Sequence, residues 1–282
     1  MKIGKYELIP IETGTFSLDG GAMFGIIPKP LWELIHPSDE MNRISLSSRS
    51  LLLVSDSKKI LIDTGIGEGW DDKFNRIYKL DHTQFTLHSS LEKLGFKAED
   101  ITDIILTHLH FDHTGGSTYQ KDGKWLPTFP HAKYYVQKHH YEWAKNPSER
   151  DRGSFVVNRY EPLHENGLLH FIQGREYFDD EIELLTINGH TFSQQMVKIS
   201  DSSETVLYCA DLFPFSTHIP IPYVMGYDLQ PLLTIEEKKN TLSTGSDNGW
   251  ILFFEHDPFT VAAKISKNEK GFLAKELLKE LK

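Results

Sequence analysis

The amino-acid sequence predicts an α/β fold in which helices cover β-sheets. Short runs rich in β-branched and aromatic residues alternate with segments of helical pattern along the chain, which favours layers of sheet and helix. Of the 282 residues, 39% are hydrophobic and 25% charged, an ordinary globular composition. We find no repeat, low-complexity tract or linker, so we expect a single domain over residues 1–282.

Strands are predicted where apolar runs are bounded by turn residues. In chain order these runs are residues 5–13, 50–56, 59–65, 103–108, 133–137, 181–187, 195–200, 204–211 and 250–256. The stretch SDSKK between the second and third runs predicts a hairpin connection. Helices are predicted over residues 83–95, 234–245 and 269–282, the first because Thr opens the segment and Gly ends it.

The net charge and the cysteine content limit which partners and which kinds of metal site are expected. The formal net charge is −10, which argues against nucleic acid as a partner because an acidic surface repels phosphates. No apolar run is long enough to predict a membrane span, and no leader pattern is visible, so we expect a cytoplasmic protein. The single cysteine, Cys209, excludes a disulfide framework and predicts a small buried side chain. Any metal would therefore be held by histidine and carboxylate.

The stretch THLHFDHTGG, residues 107–116, predicts a metal site. It follows an apolar strand, and residues two apart in a strand face the same side, so His108 and His110 can point at one position. Asp112 and His113 follow in a turn, where their side chains can serve a second position nearby. Four ligands from one segment favour two metal ions over one.

Three other strand-like runs also end in a residue that can bind metal. These residues are His190, Asp211 and His256. A rigid strand end is a suitable place for a ligand because such groups need a firm scaffold. Most of the other histidines lie in polar or helical segments, where surface or packing roles are expected. His218, in the loop after Asp211, is left open as a residue that lines the site.

Four motifs in order, THLHFDHTGG, NGHT, CADLFP and FFEHD, give the chain a resemblance to the metallo-β-lactamase superfamily. In particular it resembles the dinuclear members that hydrolyse N-acyl-homoserine lactones, and GGAMFGIIPKPLW near the N-terminus is similar to a segment of those quorum-quenching enzymes. The resemblance implies an αββα four-layer sandwich with the site at one edge between the sheets. It also implies two divalent cations, zinc first, although Mn, Fe or Co also accept such ligands.

The resemblance assigns roles to individual residues. It implies that Asp211 bridges the two metals and that Asp63, in LIDTG, supports the ligands by hydrogen bonds. The ligands of the first metal would be His108, His110 and His190, and those of the second Asp112, His113 and His256.

Two positions depart from the family pattern. Many of these lactonases have a tyrosine three residues after the bridging aspartate, and here that residue is Pro214. The pattern GHTPGH reads GHTFSQ here, which would change a loop beside the site. Tyr223 and Tyr227 could supply the missing hydroxyl, or they could be packing residues.

The implied chemistry is attack of a metal-bridging hydroxide on a lactone or ester carbonyl. Asp112 would either deliver a proton to the leaving oxygen or act as a ligand only. The loops 20–35 and 215–227 are unusually apolar, which predicts a pocket for an apolar acyl chain. Its expected lining is Met23, Phe24, Trp32 and Tyr223, with Phe111 near the floor. The alternative is that these loops lie in the core or form a homodimer contact.

Other functions compete with lactone hydrolysis. An organophosphate triesterase similar to methyl-parathion hydrolases is the main alternative, because the same hydroxide suits a phosphorus centre. A thioesterase is less favoured because no basic cluster suited to glutathione is seen near the C-terminus. A metal sensor or inactive scaffold would need an incomplete or closed site, whereas all seven ligand positions hold competent residues.

Overall fold

A computed structural model describes residues 1–281. Its first sheet has seven strands. In sheet order they are β1 (Lys2–Ile3), β2 (Tyr6–Asp19), β3 (Arg43–Val54), β4 (Lys59–Ile62), β5 (Asp103–Ile105), β8 (Lys133–Gln137) and β9 (Leu169–Ile172). A separate hairpin lies between β5 and β8 in the chain and consists of β6 (Thr118–Lys121) and β7 (Lys124–Pro127).

The second sheet also has seven strands, which follow one another in chain order. They are β10 (Glu176–Tyr177), β11 (Ile182–Ile187), β12 (Gln194–Ser200), β13 (Thr205–Tyr208), β14 (Ile251–Phe253), β15 (Ala262–Asn268) and β16 (Gly271–Leu278). The α-helices are α1 (Gly20–Phe24), α2 (Lys29–Trp32), α3 (Asp72–Tyr78), α4 (Leu87–Lys93), α5 (Phe111–Thr114), α6 (Lys138–Lys145), α7 (Glu161–Glu165) and α8 (Pro231–Asp247). Short 3₁₀ turns cover Ala98–Asp100, Gly115–Ser117, Arg152–Ser154, Val157–Arg159, Ala210–Leu212 and Ser216–His218.

The side-chain period of the strands produces the layers. In β3, Leu51 and Leu53 enter the core between the two sheets, whereas Leu52 faces the outer helices α4, α6 and α7. In the second sheet, Val206 also enters the shared core, and Leu207 packs outward with α8. Both faces of each sheet are buried, so the central strands have nearly continuous apolar sequences. The predicted αββα sandwich is confirmed.

Strand direction brings the chemically important residues to one edge. β4 and β5 are parallel, and so are β13 and β14. β11 runs the same way as β13 because β12 is antiparallel to both. Within each sheet these strands point the same way, and the residues that follow β5, β11 and β13 meet at one side of the sandwich, where ligand sites of α/β sheets usually form.

The helix predicted over residues 269–282 is wrong. Most of the segment forms β16, which pairs antiparallel with β15. Gly271 has φ +117°, a conformation that ends any helix and suits the hairpin turn. Alternate side chains such as Phe272 and Ala274 pack onto the outer cluster of the second sheet. Tertiary pairing outweighs the helix propensity of the Ala, Lys, Glu and Leu residues.

The other predicted elements are present with shifted ends. α4 begins at Leu87 with Thr86 as its N-cap, and α8 begins at Pro231, where proline's missing N–H costs no hydrogen bond. Cys209 is buried, as predicted. No helix within residues 1–281 has the length and apolar character needed to cross a membrane. The single domain over residues 1–282 stays a prediction.

Candidate metal centre

Four strand ends supply the predicted ligands of the site. His108 and His110 follow β5 in extended backbone, and α5 then turns Asp112 and His113 toward the same edge. The three other residues singled out in the sequence follow β11, β13 and β14. The structure brings all seven predicted ligands together, and none is more than 8% exposed. They are His108, His110, Asp112, His113, His190, Asp211 and His256.

The first group of donor atoms consists of three imidazoles and one carboxylate. Nδ1 of His110 lies 3.1 Å from Nε2 of His108 and 3.2 Å from Nε2 of His190. Nε2 of His190 lies 3.1 Å from Oδ2 of Asp211. All four side chains offer an atom within 4.8 Å of the others, so one cation can contact all of them.

The second group consists of Asp112, His113 and His256. The Nε2 atoms of the two histidines are 3.2 Å apart, and Nε2 of His256 lies 3.7 Å from Oδ2 of Asp112. Asp211 reaches this group as well, because its Oδ1 lies 3.2 Å from His256 Nε2 and its Oδ2 lies 3.5 Å from His113 Nε2. Asp211 therefore lies between the two groups, as a bridging ligand must.

These donor sets fit divalent metal ions. A Zn–N distance of about 2.0–2.1 Å places two ligands of a tetrahedron about 3.3–3.4 Å apart, close to the 3.1 and 3.2 Å separations within the first group. Oδ1 of Asp211 is buried and accepts no hydrogen bond from the described residues. A buried carboxylate oxygen without a donor needs a compensating charge, and a cation between the groups would supply it.

Outer hydrogen bonds set which imidazole nitrogen faces inward. Nδ1 of His190 lies 2.9 Å from Oδ1 of Asp228, and Nδ1 of His256 lies 3.0 Å from the carbonyl oxygen of Ser47. Each imidazole donates outward there, so its Nε2, once deprotonated, can offer its lone pair to a metal ion. His110 is the exception, since its Nδ1 faces inward and its Nε2 is buried without a partner in residues 1–281.

Asp63 lies beside the centre. Its Oδ1 accepts the backbone N–H of Thr107 at 2.7 Å and its Oδ2 accepts the Thr107 hydroxyl at 2.6 Å. Oδ2 also lies 3.1 Å from Nδ1 of His113. Asp63 has φ +55°, an uncommon conformation for a residue other than glycine. The carboxylate thus fixes both the backbone before His108 and the ring of His113.

Sequence reasoning missed three carboxylates around the centre. Asp228 orients His190, as described above, and Oε2 of Glu255 lies 3.0 Å from Nδ1 of His113. Glu237 in α8 accepts the backbone N–H groups of Asn188 and Gly189, at 2.7 and 2.9 Å, directly before His190. Glu255 had a signal, because it adjoins a candidate ligand. The other two are distant in the chain and come near only through folding.

The carboxylates and imidazoles of the centre shift one another's pKa values. Burial alone would lower the pKa of His190, but the carboxylates of Asp211 and Asp228 outweigh it and raise that pKa to about 10. Burial would raise the pKa of Asp211, yet the neighbouring imidazoles hold it well below its usual value. Without metal, protons therefore carry the positive charge beside Asp211, and metal binding must displace them.

A cavity of about 270 Å³ opens above the ligands, a small volume for a ligand site. Of the five predicted pocket residues, Met23 and Phe111 line it. The apolar wall also includes side chains that sequence reasoning missed. These are Leu18, Leu46, Tyr78 and Met225. The remaining lining groups, apart from ligands, are Arg150, Asp151, Ser154, Gly226 and Tyr227.

Phe24, Trp32 and Tyr223, which were predicted to line the pocket, do not line this cavity. Phe24 stacks on Trp32 with ring centroids 5.4 Å apart and meets Tyr223 edge-on at 6.2 Å. Phe24 and Trp32 are 0% and 2% exposed. Because the rings pack against one another and away from the cavity, they form the packing behind its wall.

His218, Tyr227 and Pro214 also have definite positions. His218 does not line the cavity; it is buried and its Nε2 donates to the carbonyl oxygen of Met23 at 2.9 Å. Tyr227 lines the cavity, whereas Tyr223 does not. Pro214 is buried and offers no side-chain donor. The phenol of Tyr227 is therefore the better placed of the two candidate hydroxyls.

The layered fold and the two groups of potential metal donors that meet at Asp211 are typical of a metal-binding protein of the sandwich type. The chain matches the metallo-beta-lactamase superfamily over residues 45–266 and belongs to it. It is similar to a probable metal-dependent hydrolase from Staphylococcus aureus, with a TM-score of 0.88 and 26% identity over 99% of this chain and 100% of that one.

Two relatives extend the comparison. A probable metallo-hydrolase of Mycobacterium bovis is 25% identical over an alignment of length 246, which covers 76% of each chain. An N-acyl homoserine lactonase of a Bacillus species is 26% identical over an alignment of length 220, which covers 73% of this chain and 79% of that protein. The chain is thus a metal-dependent hydrolase of this superfamily.

Proposed function

We propose that this enzyme opens lactones, or hydrolyses related small esters, that carry an apolar acyl portion. The observation that carries the proposal is the position of the two ligand groups, joined by Asp211, beneath a small cavity with a mainly apolar wall. The similarity to the N-acyl homoserine lactonase of a Bacillus species supports the lactone class, which includes the substrates of quorum quenching.

We propose two divalent cations, most simply zinc, held by the groups described above. When bound, they would lower the pKa of a water molecule between them to near neutrality and polarise a carbonyl oxygen. The protein's own part is to hold the ligands rigidly, exclude bulk water and place the acyl portion against Met23 and Phe111.

Two side chains are proposed to assist the reaction from the cavity wall. Asp112 is 8% exposed and lines the cavity, so it can take the proton that the attacking water releases and pass it to the leaving alkoxide as the ring C–O bond breaks. Tyr227 lines the same cavity. It can donate a hydrogen bond to the substrate carbonyl oxygen as negative charge develops there.

A substrate panel tests the proposal. The metal-loaded enzyme would be assayed with N-acyl homoserine lactones of several chain lengths, simple γ- and δ-lactones, a thioester and an aryl phosphotriester. We expect lactones or carboxylic esters to have the highest kcat/KM. A phosphotriester preference of tenfold, about 1.4 kcal/mol in transition-state binding, would favour the organophosphate triesterase alternative.

Metal analysis tests the ligand assignment separately. We expect about two metal ions per chain in protein purified without chelator. Asp211→Asn should lose metal and activity, because it removes the bridging charge between the groups. Full activity of Asp211→Asn, or fewer than two metals in active wild-type enzyme, would refute the dinuclear centre. The homodimer and the cytoplasmic location stay predictions from the sequence.

A further inference from the structure

Two segments that are distant in the chain meet beside the cavity. Arg150, Asp151 and Ser154 line it from the segment after α6, and Met225, Gly226 and Tyr227 line it from the segment before α8 (residues 225–227). Nη2 of Arg150 donates to the carbonyl oxygen of Gly226 and, at 3.3 Å, to that of Asp228. Arg150 thus joins the two parts of the wall.

The segment that carries Arg150 is firmly held. The carboxylate of Asp151 is buried and accepts N–H of the Trp143 indole at 2.7 Å and the hydroxyl of Ser148 at 2.6 Å. The backbone N–H of Arg152 also donates to the carbonyl oxygen of Ser148 at 3.0 Å. The guanidinium of Arg150 therefore extends from a fixed segment toward residues 225–228.

The segment of residues 225–228 is held by hydrogen bonds at both ends and in its middle. Before it, the buried ammonium of Lys238 donates to the carbonyl oxygens of Pro220, Ile221 and Tyr223. After it, the backbone N–H of Leu229 donates to the carbonyl oxygen of His190 at 3.0 Å. Between these points the backbone N–H of Gly226 donates to the carbonyl oxygen of Ala22 at 2.7 Å, and the two bonds from Arg150 are added.

We propose that Arg150 is a specificity-determining residue: its two hydrogen bonds hold the wall at residues 225–228 and limit the size of the acyl portion that the cavity accepts. The statement about acyl size rests on the proposed function. We call the two hydrogen bonds from Arg150 the Arg150 bridge. Arg150 is itself exposed, so water competes for these carbonyl oxygens and the bridge can open. Asp228, one of the residues it holds, also orients His190, which connects the bridge to the metal centre.

Methionine and lysine replacements test the bridge. Arg150→Met keeps the length of the side chain and removes every donor, whereas Arg150→Lys retains three N–H donors. Arg152→Met is the matched control, because Arg152 is exposed on the same segment and does not line the cavity. Each variant would be assayed in its metal-loaded form with a short-chain and a long-chain acyl lactone.

Arg150→Met should raise the ratio of long-chain to short-chain kcat/KM by about fivefold or more, the scale of a small change in a hydrophobic pocket. Arg150→Lys should recover at least half of the change, and Arg152→Met should leave the ratio within about twofold of wild type. An unchanged ratio in Arg150→Met, or an equal change in Arg152→Met, would overturn the proposal.

Hydrogen exchange provides a readout that does not need turnover. In metal-loaded protein without substrate, amides of residues 225–229 should exchange about fivefold faster in Arg150→Met than in wild type or Arg152→Met. Unchanged exchange would overturn the bridge whatever the kinetics show. If exchange rises as expected but wild-type enzyme opens no lactone or ester in the panel, the bridge stands and the proposed function fails.

Discussion

Replacing Asp228 by alanine should weaken metal binding by about 10- to 100-fold, the usual cost of removing a carboxylate that orients a metal-binding histidine. Asp228 is 1% exposed and its Oδ1 lies 2.9 Å from Nδ1 of His190. His190 is itself only 3% exposed, so water would not easily replace the lost acceptor. An unsatisfied buried donor costs about 1–3 kcal/mol, which agrees with the expected loss of affinity.

Competition with a chromophoric chelator would measure the zinc Kd of wild type, Asp228→Ala and Asp228→Asn. The asparagine variant keeps an acceptor oxygen and should lose less affinity than the alanine variant. Asp151→Ala is the matched control, because Asp151 is another buried carboxylate of the cavity wall that bonds Trp143 and Ser148 but no ligand. A zinc Kd for Asp228→Ala within about twofold of wild type, or an equal loss in Asp151→Ala, would refute this reasoning.

Three further outcomes are expected. Tyr227→Phe should lower kcat by about tenfold or more with metal content unchanged, the cost of one lost donor to developing charge; Tyr223→Phe is the control, and equal kcat values would exclude the proposed hydrogen bond. Arg159→Met should lower the free energy of unfolding by about 3 kcal/mol in urea titrations. The guanidinium of Arg159 lies against the rings of Trp70 and Trp125 and donates to three carbonyl oxygens. A loss below about 1 kcal/mol would contradict this. Burial lowers the pKa of His218 to about 3, so the unfolded chain binds the extra proton first as pH falls below about 6.5. Relative to His218→Gln, wild type should lose about 2 kcal/mol between pH 7 and 5, and parallel stability curves for the two proteins would disprove it.

The ligands could be found from the sequence because each obeys a local rule. His108 and His110 are spaced by the period of a strand, and three other candidates each end an apolar run. Such runs are buried strands, and parallel strands align their carboxyl ends at one edge. The structure brings these residues together.

The cavity could not be predicted in the same way. The loop composition at Phe24 and Trp32 indicated apolar contact, but it did not say with what, and the two rings stack on each other. Leu46 and Tyr78, which do line the cavity, come from a strand and a helix end without any local signal. Composition predicts burial, whereas the partner of a buried ring depends on contacts between distant segments.

By itself, the sequence determined the layered α/β class, the family and the positions of the candidate ligands, because period and strand-end chemistry are local properties. Only the tertiary structure decided which groups surround them. It pairs Asp228 with His190, joins Arg150 to Gly226, and turns the helical pattern after residue 269 into a strand. These contacts join residues far apart in the chain, and their energies come from burial and geometry that exist only after folding.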